Sequence, residues 1–305
     1  MKERARTADV TIPTTMRVAY QSGYGGQPHE VVSIEEMPVP TPGDGQVLIE
    51  VSASSTNALD WHFMTGLPYF IRLQAGMSTP KKRPVPGADI SGRVVALGSG
   101  VSDFAIGDEV FGDIGGGGFA EYAVAPARVL AKRPANLGIE ESATLGVAAL
   151  TALQGLRDWA GLQPGDRVLV NGGSGGVGSF AIQIAKALGA KHVTAVCSTA
   201  NVAAAAELGA DRVVDYKKDD FTLIDEKFDV FFDNAGSTSL GSGRRMLTEN
   251  GVFVMVTGKK GKWFRPADRM LAGATRSKFW SQRFVSRTAE PSGDDGRVLA
   301  GMVEA

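Results

Sequence analysis

The chain has 305 residues, 43% hydrophobic and 21% charged, enough apolar material for one large or two ordinary folded domains. Its 32 Lys and Arg oppose 33 Asp and Glu, and the net charge of −1 gives no general attraction to nucleic acid or anionic membrane. One cysteine, Cys197, excludes an intramolecular disulfide framework and multi-cysteine zinc or iron–sulfur centres, and three histidines (His29, His62, His192) leave little for a histidine-based metal site.

Residues 1–15 have basic residues but no apolar run behind them, and read as a disordered arm rather than a secretory signal. No apolar stretch reaches the roughly 18 residues that a membrane span needs. Together with the single cysteine, this fits the cytoplasm. From 16 to 138 the chain is a series of short β-branched runs cut by Gly and Pro. Strands are expected at 16–20, 31–36, 46–55, 89–100, 108–112, 119–125 and 128–134, which suggests a β-rich barrel or sandwich-like unit.

Near residue 139 the pattern changes. Residues 139–162 read as a helix, with Glu140 and Glu141 in its first turn. Strands at 167–171, 192–197, 212–216, 228–234 and 251–258 then alternate with helices at 177–188 and 201–209. The first of these helices has apolar residues at 177, 180, 181, 184, 185 and 188, one face of period 3.6. Such alternation predicts an α/β, doubly wound parallel sheet over 139–305.

Glycine is in excess, 39 residues or about 13% against a usual ~7%. The sharpest cluster is Asn171-Gly172-Gly173-Ser174-Gly175-Gly176-Val177-Gly178, with G-x-G-x-x-G at Gly173, Gly175 and Gly178. It follows a predicted strand and opens a predicted helix, the context in which this triplet binds a dinucleotide. Gly173 is expected to permit the tight turn, Gly175 to admit a pyrophosphate, and Gly178 to let helix and strand approach. An acidic residue for the ribose 2′-hydroxyl is expected about 20 residues on, but Ser198 stands there and 194–201 holds no acid. Ser198 and Thr199, with Tyr216 at the next strand end, suit a 2′-phosphate and favour NADP(H); the alternative is that they are loop residues of a fold that takes either cofactor.

These residues resemble the medium-chain dehydrogenase/reductase superfamily, and within it the zinc-free quinone oxidoreductase branch. The resemblance is carried by 57–66, 86–112, 149–156, 168–190 and 207–216. It implies a GroES-like β-rich domain followed by a Rossmann domain, with the active site in the cleft between them. Zinc-dependent members carry Cys and Gly-His-Glu ligands, where this chain has Asn57-Ala58-Leu59-Asp60 and Gly87-Ala88-Asp89. No metal is therefore expected. The resemblance implies that Asn57 and Asp60 line the nicotinamide side, that Thr151 touches the nicotinamide, and that Tyr69 donates a hydrogen bond to a substrate oxygen. Asp60 reads equally as a helix N-cap, and His62 as a packing residue. Asn234, Ala235, Gly236, Thr257 and Gly258 follow the fourth and fifth strands, where a dinucleotide lies.

The implied function is an NADPH-dependent, zinc-independent reductase of a quinone or an α,β-unsaturated carbonyl, acting on a small molecule and in this family often as a homodimer. One alternative is a metal-free carbonyl or alcohol dehydrogenase. Another is a non-enzymatic NADPH-binding protein with RNA affinity through 259–287, where nine Lys/Arg are interleaved with aromatics and a single acid, Asp268. A solvated helix and an edge strand over 277–287 explain that composition as well. In relatives the chain returns to the first domain after the sixth strand. Here residues 294–305 only begin a helix, so the return is expected to be missing and the β domain to keep an open edge.

Overall fold

The computed structural model describes residues 11–256, 272, 273, 275 and 280–305. Its contacts divide into two units: the described residues up to Val147 together with Pro291–Ala305, and Ala148–Glu290.

In the first unit, β1 (Thr15–Gln21) and β2 (Val32–Pro38) form an antiparallel pair. A five-stranded antiparallel sheet follows the order β6-β3-β4-β5-β7, built from β3 (Gln46–Ala53), β4 (Asp89–Leu97), β5 (Glu109–Asp113), β6 (Tyr122–Pro126) and β7 (Leu130–Lys132). Val47, Ile49, Ile90, Val94, Val110, Ala125 and Leu130 bury its inner face. Helix α1 (Ala58–Thr65) fills part of the long connection between β3 and β4.

In the second unit, six parallel strands take the order β10-β9-β8-β11-β12-β13. They are β8 (Arg167–Asn171), β9 (His192–Cys197), β10 (Arg212–Asp215), β11 (Phe228–Asp233), β12 (Leu247–Met255) and β13 (Arg283–Val285). Order reverses at β8, which pairs with β9 on one side and β11 on the other, so a crevice opens at its carboxyl end. Between the strands run α2 (Leu150–Gln154), before β8, then α3 (Gly176–Ala187), α4 (Val202–Glu207) and α5 (Leu240–Met246). The central strands carry uninterrupted apolar runs, 168–170, 230–232 and 252–255, buried because both faces are covered. Phe231 and Phe253 meet edge to face at 4.5 Å inside a cluster that also holds Leu169, Val196 and Phe284. Arg244 stacks on Trp280, which packs against Phe284.

Three expectations change. The predicted helix over 139–162 is broken: Ile139–Ser142 is one turn, Gly146 interrupts the helical path, and α2 begins at Leu150. By contacts the first unit runs on to Val147, past the expected 138, and the Val147 amide is held by the Asp89 carboxylate of β4. Residues 291–305 group with the first unit rather than with the doubly wound sheet. They form α6 (Gly293–Glu304), capped by Ser292 and packed on β7, with Asn136 donating to the Val303 carbonyl and Glu304 accepting from the Ala135 amide. Of the basic segment 259–287, most lies outside the described residues; Arg283 donates to the Ala160 carbonyl. Among the described residues no helix is long and apolar enough to cross a membrane.

Candidate active site

In the second unit, the turn from β8 into α3 forms the floor of a groove of about 980 Å³, a size suited to a small-molecule or cofactor site. Two glycines are required there by geometry. Gly172 has φ +85°, the left-handed region. A Cβ on Gly178 would stand 2.0 Å from the Gly172 carbonyl oxygen, so any side chain would push helix and strand apart. The left-handed residue of the turn is thus Gly172 and not Gly173, which instead lies against Ala195 and Ile182. Gly175 is the N-cap of α3 and supplies no side-chain acceptor to the first turn of Gly176, Val177 and Gly178. An anionic group can take those amides, aided by the helix dipole. The cradle fits a pyrophosphate.

Other expected cofactor residues gather around the same groove. Ser174, Gly175, Ser198, Tyr216, Asn234 and Ala235 line it. The Ser198 hydroxyl oxygen accepts from the Asn201 side-chain amide at 3.2 Å, which leaves its proton for a ligand. Thr199 is different. Its hydroxyl donates to Asp215 Oδ2 at 2.6 Å, so its proton is not free for a phosphate. Thr151 is buried on α2, while Thr257 and Gly258 lie outside the described residues.

Sequence reasoning passed over Asp215, Lys217 and Lys218. The Thr199 hydroxyl, the Lys217 amide and the Lys218 ammonium hold the Asp215 carboxyl below the usual carboxylate range. Lys217 Nζ lies 5.3 Å from the centre of the Tyr216 ring, and both lysines line the groove. The signal was available as the pair directly after Tyr216. Buried Asn171, at the end of β8, donates to Asp233 Oδ1 at 2.8 Å and to the hydroxyls of Ser237 and Thr238, fixing the loop after β11.

In the first unit, a polar cluster surrounds Asp89. This carboxylate is fully buried and accepts from Ser55 Oγ at 2.7 Å, Asn57 Nδ2 at 2.8 Å and the Val147 amide at 2.7 Å. Asn57 is the N-cap of α1, and Asp60 its third residue rather than the cap itself. Asp60 Oδ2 accepts from the Asn57 amide at 2.7 Å, and Oδ1 from the Gly87 and Ala88 amides at 3.1 and 3.2 Å. Asp60 thereby ties the start of α1 to the segment entering β4. Burial pushes Asp60 and Asp89 above the ordinary carboxyl range despite these bonds. Nearby Asp113 is driven up to about 6 by burial, and the Asp89 and Asp60 charges add to the effect.

This cluster does not fit a zinc ion. Ala88 offers a methyl group, Asn57 is spent on Asp89, and Asp89's own oxygens are taken by three donors. Among the described residues no group of three His, Cys, Asp or Glu side chains is placed to hold a metal. His62 Nδ1 donates to the Leu67 carbonyl at 2.7 Å, a bond that fastens the end of α1. Tyr69 is half-buried in a 3₁₀ turn beside Arg72.

Comparison with known proteins agrees with this architecture. Residues 43–135 match the alcohol dehydrogenase GroES-like domain, and 176–289 the zinc-binding dehydrogenase family. The chain is 37% identical over 264 residues to the chloroplast envelope quinone oxidoreductase homolog of Arabidopsis thaliana, covering 81% of this chain and 77% of that one. It is 35% identical to an Arabidopsis NADPH-dependent alkenal/one oxidoreductase, covering 83% of this chain and 65% of that one. The quinone oxidoreductase of Coxiella burnetii superposes with a TM-score of 0.80 at 29% identity, over 95% of this chain and 88% of that one.

Proposed function

The chain belongs to the quinone oxidoreductase-like branch of the medium-chain dehydrogenase/reductase family, and on that premise we propose that it is an NADPH-dependent, zinc-independent reductase of quinones or α,β-unsaturated carbonyls. The family is one of nicotinamide-dependent oxidoreductases. One observation carries the reading: a groove at the reversal point of a parallel sheet, floored by a glycine turn and an uncapped helix N-terminus. When bound, the cofactor supplies a hydride, which with one solvent proton saturates an activated alkene or converts a quinone to its hydroquinone.

The chain's own residues do the holding. The amides of Gly176, Val177 and Gly178 receive the pyrophosphate. Ser198, Tyr216 and Lys217 take the 2′-phosphate, with Lys218 and the Thr199–Asp215 bond fixing the turn behind them. Asn234 and Ala235 flank the dinucleotide, and Thr151 meets the nicotinamide ring. In the first unit Asn57 and Asp60 shape the substrate side. Both are tied into hydrogen bonds, so they orient rather than transfer protons. Tyr69 contributes a hydroxyl for a substrate oxygen. Zinc independence rests on Ala88 and on the saturation of Asp89. Quinone and enone acceptors suit such a site because they need little Lewis-acid help, and the quinone oxidoreductase homolog and the alkenal/one oxidoreductase of Arabidopsis support both classes.

The test follows NADPH consumption with a quinone, an enone and an aldehyde in parallel, with and without a chelator. Reduction of the quinone or enone, unaffected by the chelator, is the expected result. Tight NADPH binding with no acceptor reduced overturns the reading, and loss of activity on chelation overturns its zinc-free part.

A further inference from the structure

Strands β4 and β5 set two carboxyls face to face. In their antiparallel register Asp89 is the direct partner of Asp113, and both are buried. Directly opposed side chains have Cβ atoms about 4.5–5.5 Å apart, a spacing at which like charges destabilise the pair. A buried pair of this kind keeps a proton, and the hydrogen bonds decide where. Asp89 accepts from three donors: Ser55 Oγ, Asn57 Nδ2 and the Val147 amide. Asp113 Oδ1 accepts from the Gly115 amide at 2.8 Å. The better-compensated charge is therefore Asp89, and the proton stays on Asp113. Two further charged groups face Asp113: Asp60 of α1, which opposes its ionisation, and Arg83 of the segment entering β4, which favours it. Burial, with the Asp89 and Asp60 charges adding to it, drives the Asp113 carboxyl up to about 6 despite Gly115 and Arg83.

The segment after Asp113 is the partly exposed side of its surroundings. Ile114 to Gly117 are half-buried, and Gly115, Gly116 and Gly117 have φ of +75°, +150° and +98°. Glycine moves through these conformations at little cost. Gly115 is held by side chains: its amide by Asp113, and its carbonyl by Arg83 Nη1, whose guanidinium carbon lies 4.7 Å from the centre of the Phe63 ring. On either side the loop is bonded to the segment entering β4. The Ile114 amide donates to the Ala88 carbonyl at 2.7 Å, the Gly117 amide to Val85 at 2.9 Å and the Gly118 amide to Gly87 at 2.8 Å. Gly87 and Ala88 are the residues whose amides Asp60 Oδ1 holds. The glycine loop and the Asp60 clamp thus share one stretch of backbone.

We propose that Asp113 is a pH-sensitive latch: with its proton on, it lies closed beneath the 114–118 loop, and when it ionises opposite Asp89 the loop lifts to admit water and slackens the Asp60 clamp on α1. An ionised Asp113 that stayed dry would face Asp89 and Asp60 with only Arg83 opposing them. Hydration relieves that, and the glycines let the loop yield. The reach of the latch to the substrate side rests on the reductase reading, which places Asn57 and Asp60 there.

Hydrogen exchange of peptides spanning 113–119, read by mass spectrometry and corrected for the intrinsic pH dependence of exchange, tests the latch without cofactor or acceptor. A hydrated carboxyl titrates near 4. With a closed-state value of about 6, protection should fall about tenfold from pH 5 to pH 7 and level off above it. In Asp113→Asn it should stay level. In Arg83→Gln, which removes the attractive charge, the fall should continue to higher pH. Level protection in the unmodified protein, the same fall in Asp113→Asn, or a fall in Arg83→Gln that ends at the same pH overturns the latch. The KM for a neutral enone should rise over the same range in the unmodified protein and not in Asp113→Asn. An unchanging KM overturns the reach to the substrate side. If no enone is reduced at any pH, the reductase reading fails instead, and exchange still decides the latch.

Discussion

Gly146 and Asp89 are 57 residues apart, yet each fixes the shape of the other. A Cβ on Gly146 would lie 1.9 Å from Asp89 Oδ1, the oxygen that accepts from the Val147 amide. Gly146→Ala must therefore overpack the site, at a cost of about 1–3 kcal/mol. It must also loosen a charged hydrogen bond worth about 1.5–3 kcal/mol. A total near 3 kcal/mol is expected. Asp89→Ala strands the Val147 amide and the Asn57 side-chain amide in a buried place, about 1–3 kcal/mol for each. In the double variant the new methyl group enters the space the carboxylate left, where the next neighbour is the Asp113 amide nitrogen at 3.3 Å. The two costs should then fall short of their sum by about 2 kcal/mol. Hydrogen exchange across β4 and β5, read by mass spectrometry, gives the local stability of this unit in all four proteins. Additive costs, or a neutral Gly146→Ala, would refute the steric coupling.

Gly178→Ala should weaken NADPH binding at least tenfold, because its methyl group meets a backbone carbonyl 2.0 Å away; fluorescence titration showing unchanged affinity would contradict the role given to this turn. Lys217→Ala should cut the preference for NADPH over NADH by about 10- to 100-fold, the scale of a charged hydrogen bond, whereas equal weakening of both cofactors would remove Lys217 from the 2′-phosphate site. Asp113, driven to about 6 by burial, binds its proton more tightly in the folded chain than in the unfolded one, where a carboxyl titrates near 4. Its contribution to stability is full below about pH 4 and is lost as the pH rises through 6. Asp113→Asn can still accept from the Gly115 amide. It should gain on the parent by up to about 3 kcal/mol between pH 4 and 7, measured by urea unfolding, and a pH-independent difference would count against the buried charge.

The doubly wound unit was largely open to reading from sequence. Its strands are buried on both faces, so β8 and β9 appear as largely apolar runs at the residues anticipated. The glycine turn stood out for a local reason too, since Gly172 answers to its own left-handed φ and Gly178 to the Gly172 carbonyl six residues before it. What escaped was non-local. Nothing near Asp89 announces that its partners are Ser55, Asn57 and Val147, because a buried carboxylate looks like a surface one until its donors are placed around it. The broken helix over 139–162 follows from that bond and from Gly146, not from propensity. Asp215 binds Thr199 from the neighbouring strand, which a search for an acid within one loop could not reveal. An amphipathic C-terminal helix does not name its partner, and α6 found β7 of the first unit.

A cofactor held at the β8–α3 turn should give its hydride to an activated acceptor without a metal. NADPH carrying deuterium at the transferable position of its nicotinamide, mixed with a neutral enone and the chelator-treated protein, tests it directly. Product analysis by mass spectrometry and NMR should find one deuterium on the β-carbon of the saturated ketone. Deuterium on the carbonyl carbon of an allylic alcohol would show carbonyl reduction instead, and a product without deuterium would contradict direct hydride transfer altogether.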